Sequence, residues 1–169
     1  AGGHASVLLD ILKEQGRDVI AYASPEKAKN DQLFNGLRWL QSDEEIDSYH
    51  VDDVYLVNGI GSLPGLPLRE NIFSRYKKRG YEFLTIISSS AVVSKYCELQ
   101  EGAQIFPGAI INAGAQVGEN TIINSGAIIE HDCVIGKHNH VAPGAVLCGG
   151  VRSEEMVHIG SGASVIQLI

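Results

Sequence analysis

Two hydrophobic patterns divide the chain. From Ile87 onward an aliphatic residue recurs at every sixth position: Ile87, Val93, Leu99, Ile105, Ile111, Val117, Ile123, Ile129, Ile135, Val141 and Leu147. Four residues after each runs a second, smaller row of Ala91, Cys97, Ala103, Ala109, Ala115, Thr121, Ala127, Cys133, Asn139 and Ala145. Glycine stands just before it at Gly102, Gly108, Gly114, Gly126 and Gly144. A period of six, with one aliphatic and one small inward residue, predicts a parallel β-helix of hexapeptide units. Three hexads close one triangular coil, so residues 18 apart stack at about the 4.7–4.9 Å spacing of paired strands. The row breaks once, at Ser153 in Arg152-Ser153-Glu154-Glu155, and resumes at Ile159 and Val165. A break with the count kept predicts a distorted coil edge.

Residues 1–86 alternate differently. Leu8, Ile11 and Leu12 share one face of a short helix that Gly16 would cap. Asp18–Ala23 and Val54–Val57 read as strands, Leu68–Lys78 as a helix ending near Gly80, and Glu82–Ile87 as a strand. Ser42 with Glu45 forms a capping box for another short helix. Strands alternating with helices predict a small parallel, Rossmann-like sheet with crossover helices. The fold class is thus an α/β domain over 1–86, followed by a β-helix over 87–169. A Gly-rich turn normally follows a strand, yet Gly2-Gly3-His4 opens the chain, and Ile169 falls in mid-repeat. Both observations predict a chain cropped at its two ends.

Composition narrows the function. With 13 basic and 20 acidic residues the net charge is -7, which argues against nucleic acid as a partner. No apolar run reaches the roughly 20 residues of a membrane span, so no membrane insertion is expected. Three cysteines without C-x-x-C spacing imply a reducing cytoplasm rather than a disulfide framework. Cys97 and Cys133 fall on the small inward row, where packing explains them.

Candidate chemistry gathers at a few turns. His131 sits off the aliphatic row between Glu130 and Asp132; by position alone it is either a solvated turn histidine or a catalytic one. Gly149 lies one coil from His131 and Gly150 one coil from Asp132, leaving room there for a thioester arm. His140 stacks on His158 by the same count. Zinc takes three or four converging ligands, and this pair has no third partner at suitable spacing, so no metal is expected. His4 falls at a helix N-terminus, where free N–H groups favour phosphate and Gly2 and Gly3 permit close approach.

The opening Gly-Gly-His, the hexapeptide rows and the run Ile129-Glu130-His131-Asp132-Cys133-Val134-Ile135-Gly136 resemble bacterial sugar acyltransferases of the left-handed β-helix class. So do His140-Val141-Ala142-Pro143-Gly144-Ala145 and Gly149-Gly150-Val151. The nearest group is the nucleotide-sugar N-acetyltransferases, classed with the sialic-acid O-acetyltransferase-like proteins. The resemblance implies a left-handed coil, a homotrimer, acetyl-CoA as co-substrate and a nucleotide-sugar substrate. It implies His131 as general base, Asp132 as the acid that orients it and Glu130 as a second acid. An imidazole suits that work because its ordinary pKa lies near 6.5. It places His140, with His158 and the Gly149-Gly150 pair, at the acetyl-CoA arm. The sugar or its pyrophosphate is placed beside His4, Gly2, Gly3, Gly59 and Gly61, with Asn124 as a polar contact to the sugar. The family's acidic residues after the second strand are absent, replaced by Tyr22-Ala23-Ser24-Pro25, which leaves the nucleotide open. The expected activity is N-acetylation of a nucleotide-linked deoxyamino sugar. Sugar O-acetylation, a non-catalytic sugar-nucleotide scaffold and a zinc hydratase are the alternatives.

Overall fold

The computed structural model describes residues 1–29 and 31–167. From Ile86 onward it repeats one unit, a two-residue strand and a turn, assembled into parallel sheets of four, five and five strands. Every pair in these sheets joins residues 18 apart, as Gln116 with Val134, Ile122 with His140 and Ile128 with Val146. This is a parallel β-helix of hexapeptide coils, as the period predicts. Ile105, Ile111, Val117, Ile123, Ile129, Ile135, Val141 and Leu147 fill its interior against Ala103, Ala109, Ala115, Ala127, Cys133 and Ala145. Ile87 remains 38% exposed because its strand pairs on one side only. The coils approach closely enough that a Cβ on Gly136 would stand 2.5 Å from Glu154 O.

The break at Ser153 is not a distortion. Strand Arg152–Ser153 pairs with Val134–Ile135 in unbroken register. The space left by the missing aliphatic side chain is taken by Asn139, from the small row. Its Nδ2 donates to Ser153 Oγ at 2.7 Å and to Glu154 O at 2.9 Å, and its Oδ1 accepts Val157 N–H at 2.6 Å. Two polar substitutions therefore compensate one another inside the coil, and the buried amide is satisfied on both ends.

The N-terminal residues form α1 (Gly3–Glu14), β1 (Ala21–Ala23), α2 (Asp31–Phe34), β2 (Arg38–Leu40), β3 (Tyr55–Leu56), α3 (Leu68–Lys78) and β4 (Glu82–Phe83). They do not make the single sheet expected: β1 pairs with β2 and β3 with β4, as two separate parallel pairs. Each pair rests on its own apolar cluster, one around Leu9 and Phe34, the other around Phe73, Tyr76 and Tyr81. The expected strand Glu82–Ile87 is likewise two, since Ile86–Ile87 already belongs to the first coil. The capping box also differs. Asp43–Ser48 is a 3-10 turn, Ser42 makes no side-chain cap, and Glu45 accepts Gln41 N–H instead. The expectation at Ile169 lies outside the described residues.

Two seams hold this unit to the β-helix. Leu8, Ile11 and Leu12 of α1 bury Ile86, Phe106 and Ile122 on the outside of one coil face. From α3, Lys77 Nζ reaches both oxygens of Glu101 at 2.6 and 2.8 Å, while Glu101 also accepts Phe83 N–H. Gly102 is bare there because Phe73 lies 2.9 Å from where its Cβ would be.

Replacing Asn139 by Ala should destabilise the β-helix by about 1–3 kcal/mol, because Val157 N–H and Glu154 O lose a buried partner. The double variant Asn139→Ala/Ser153→Val, which restores the ordinary pattern, should recover most of the loss in a thermal melt. No recovery would show that the two positions do not compensate.

Candidate active site

His131 lies in the turn between strands Ile128–Ile129 and Val134–Ile135, with its side chain 67% exposed. Its Nδ1 stands 2.9 Å from Asp132 Oδ2. Nδ1–H donating to that carboxylate leaves Nε2 with a free lone pair facing outward. Asp132 can turn back onto its neighbour because its backbone is left-handed, φ 61, a conformation Asp tolerates better than most residues. The stacking count supplies the rest of the seat. A Cβ on Gly114, one coil before, would collide with Asp132 Oδ1. One on Gly149, one coil after, would lie 2.6 Å from Cε1 and Nε2 of His131. The room at Gly149 is thus filled by the imidazole itself, and Gly150 donates its N–H to His131 O at 2.9 Å. Glu130 bonds elsewhere: it accepts Asn112 Nδ2 at 3.0 Å.

A second group forms where α1 meets the β-helix. His4 stacks on Phe106, ring centroids 5.0 Å apart, and its Nε2–H donates to Gln104 Oε1 at 2.9 Å. Burial, then the Arg69 charge, pulls its pKa down to about 4. Gly61 lies against His4, and Gly59 against Ala5. Gly2 and Gly3 are open to solvent-side space, where a Cβ would meet nothing. His140 donates Nδ1–H to Ser62 O at 3.3 Å and accepts Asn124 Nδ2–H on Nε2 at 3.0 Å. Burial, then the neighbouring His158, brings its pKa to about 4 as well. His158 meets His140 edge-on at 4.7 Å, and its Nδ1 is buried without a partner.

The structure therefore joins His131, Asp132 and Gly149 in one set, and His4, Gly61, Asn124, His140 and His158 in another. Among the described residues no hydrogen bond or ring contact links the two sets. No three His, Cys, Asp or Glu residues among those described stand together as a metal site. Nor is any helix there long and apolar enough to cross a membrane.

Several participants escaped sequence reasoning. Gln104, 1% exposed, holds His4 and donates to Asn58 O. It occupies an outward position whose stacked neighbours are Ile86 and Ile122. Reading that outward column at spacing 18 would have exposed the polar exception. Asn112 could have been found the same way, one coil from Glu130. Arg69 carries no such signal, being one charged residue among several in α3.

Residues 114–149 match the family described as bacterial transferase hexapeptide (six repeats). No curated protein sequence matches the chain. Among solved structures, it is similar to the acetyltransferase domain of PglB from Neisseria gonorrhoeae FA1090 in complex with acetyl coenzyme A. That match has a TM-score of 0.87 and 24% identity over 98% of this chain and 78% of the other. A perosamine N-acetyltransferase variant from Caulobacter crescentus, in complex with CoA and GDP-perosamine, gives a TM-score of 0.80 and 28% identity. The alignment covers 98% of this chain and 85% of that one. WeeI from Acinetobacter baumannii AYE gives 0.66 at 21% identity, over 97% and 84% of the two chains.

The two half-buried histidines, His4 and His140, make the fold acid-sensitive. Their pKa values near 4 lie below the ordinary 6.5, so the unfolded chain binds protons that the folded one refuses. Their stabilising effect is complete above about pH 6.5 and is lost as pH falls toward 4. His4 alone should account for a loss on the order of 3 kcal/mol across that window, with His140 adding less because solvent screens it. Thermal melts from pH 7 to pH 4 should show this fall, and His4→Gln should flatten it. A melting temperature independent of pH over that range would contradict the assignment.

Proposed function

We propose that the protein transfers the acetyl group of acetyl-CoA to the amino group of a nucleotide-linked deoxyamino sugar, with His131 as general base. The observation that carries this reading is the outward Nε2 of His131, whose opposite nitrogen is held by Asp132. The likeness to a perosamine N-acetyltransferase with CoA and GDP-perosamine supports the substrate class. A scaffold has no use for an exposed imidazole seated on Gly149 and paired with a carboxylate that is itself seated on Gly114.

In this reading the sugar amine attacks the thioester carbonyl carbon while His131 Nε2 takes the amine's proton. The tetrahedral intermediate collapses with loss of the CoA thiolate, which the imidazolium can reprotonate. Asp132 stabilises the imidazolium and fixes its tautomer. The N–H of Gly149, which makes no backbone hydrogen bond among the described residues, is the donor assigned in this reading to the developing oxyanion. His140 and His158 serve the acetyl-CoA arm, Asn124 the sugar, and His4 with Gly2, Gly3, Gly59 and Gly61 the nucleotide. The N-terminal unit, with its two parallel strand pairs, acts as the nucleotide-sugar domain, and the coil is left-handed. A homotrimer supplies the second wall that an exposed His131 lacks, since cyclic symmetry brings each dyad a neighbour. The reaction belongs in the cytoplasm.

His131→Ala should lower kcat by roughly 10²–10⁴-fold with little change in affinity for acetyl-CoA. Asp132→Asn should cost less, because it keeps the shape and removes only the charge. Turnover of GDP- and UDP-linked amino sugars, read by mass spectrometry, tests both. Near-wild-type rates in His131→Ala would mean that another group is the base. A stable, active monomer in light scattering would remove the trimer.

A further inference from the structure

The most unusual group outside the dyad is the side chain of Arg69, in the first turn of α3. It is 3% exposed and has no carboxylate partner among the described residues. Its Nε–H donates to Asn120 O at 3.1 Å, and its Nη1 donates to Asn58 O at 3.1 Å and Ile60 O at 2.6 Å. Its Nη2 is buried with no partner among the described residues. A guanidinium taken out of water without a counter-charge is costly, and burial holds its pKa at about 9, still charged near neutrality.

What the arginine grips explains its presence. Asn58 and Ile60 bracket Gly59, and Gly61 follows. Each peptide is trans, so its N–H points away from its C=O. With Asn58 O and Ile60 O turned onto Nη1, the N–H groups of Gly59 and Gly61 face the opposite side, and neither has a partner among the described residues. His140 extends the arrangement by drawing Ser62 O inward. The two glycines rest on His4 and Ala5. There the N–H groups of Gly3 and His4 precede the first bond of α1, Ser6 N–H to Gly2 O. No acidic residue occupies that first turn. Free amides from two segments thus lie side by side, with one buried cation behind those of Gly59 and Gly61.

We propose that Arg69 is a positioning residue for an anionic substrate: it holds the Gly59 and Gly61 amides turned away from itself, beside the N-terminus of α1, and supplies the positive charge behind them, for the diphosphate of the sugar nucleotide. This rests on the reading of the substrate above, but it stands or falls on phosphate binding rather than on acetyl transfer. Backbone amides that converge on one point bind phosphate oxygens well, and a fixed charge behind them strengthens the field without crowding the ligand.

The test uses inorganic pyrophosphate and the full-length protein. In amide NMR, pyrophosphate should shift the Gly3, His4, Gly59 and Gly61 resonances of the wild type. Arg69→Met should weaken pyrophosphate binding about tenfold or more, the effect of losing hydrogen bonds to a charged group. Arg69→Lys, which keeps the charge but not the two-carbonyl grip, should fall between. Both variants should bind acetyl-CoA as the wild type does and, in turnover, raise the KM for the sugar nucleotide more than they lower kcat. Where Arg69→Met does not fold, Arg69→Lys and the wild-type titration decide. Absent shifts at Gly59 and Gly61, or unchanged pyrophosphate affinity in Arg69→Lys and Arg69→Met, would overturn the proposal. Pyrophosphate binding without acetyl-CoA binding would instead leave Arg69 in place and sink the acetyl-transfer reading.

Discussion

Residues 18 apart must share a column at the spacing of paired strands, and the rest of the molecule answers to that constraint. No side chain on a turn can be larger than its neighbours in the adjoining coils permit. His131 lies flat over Gly149, and Asp132 folds back over Gly114, because those positions carry no Cβ. The same rule inside the coil lets Asn139 fill what Ser153 leaves empty. The chemistry of one coil is therefore partly specified in the sequence of the next. A substitution at Gly149 would displace the imidazole without touching its identity.

The joint between the N-terminal unit and the β-helix has two halves of opposite character. Toward the C-terminal half of α1 it is an ordinary apolar seam, Leu8, Ile11 and Leu12 on Ile86, Phe106 and Ile122. Toward the N-terminus of α1 it becomes a buried polar network, His4 to Gln104 to Asn58 to Asn120, with Arg69 at its centre. Buried polar groups add little net stability and exact a penalty when any partner is missing. Their concentration at one end of the joint marks the place where geometry, rather than adhesion, is being maintained.

The β-helix was legible because its core repeats one requirement per hexad, and a requirement repeated at fixed intervals survives in a single sequence. Helix α3 was legible to the residue, from Leu68 to Lys78, because Pro67 and Gly80 flank it. The single N-terminal sheet was misread: alternating strands and helices imply parallel pairing but not which pairs join, and two apolar clusters separate them. The His131–Asp132 contact could be read because the partners are adjacent in sequence. His4 with Gln104, and Arg69 with Asn120, could not, since their partners are 100 and 51 residues away. A column reading reaches only multiples of 18 within the β-helix, and these contacts cross between the two units.

The hydrogen bonds also separate the histidines by task. On His140 both ring nitrogens are engaged: Nδ1–H is spent on Ser62 O, and the Nε2 lone pair is capped by Asn124. Its low proton affinity, near 4, reinforces this, since a group that refuses a proton at neutral pH makes a poor base. His4 has one nitrogen on Gln104 and the same depressed affinity. Both are suited to hold shape and to contact a ligand as neutral rings. His131 differs in kind. One nitrogen stands 2.9 Å from a carboxylate, and the side chain is 67% exposed. Of these three, only His131 is paired with a carboxylate. The division follows from where each ring sits: two half-buried beside the N-terminal unit, and one on an exposed turn.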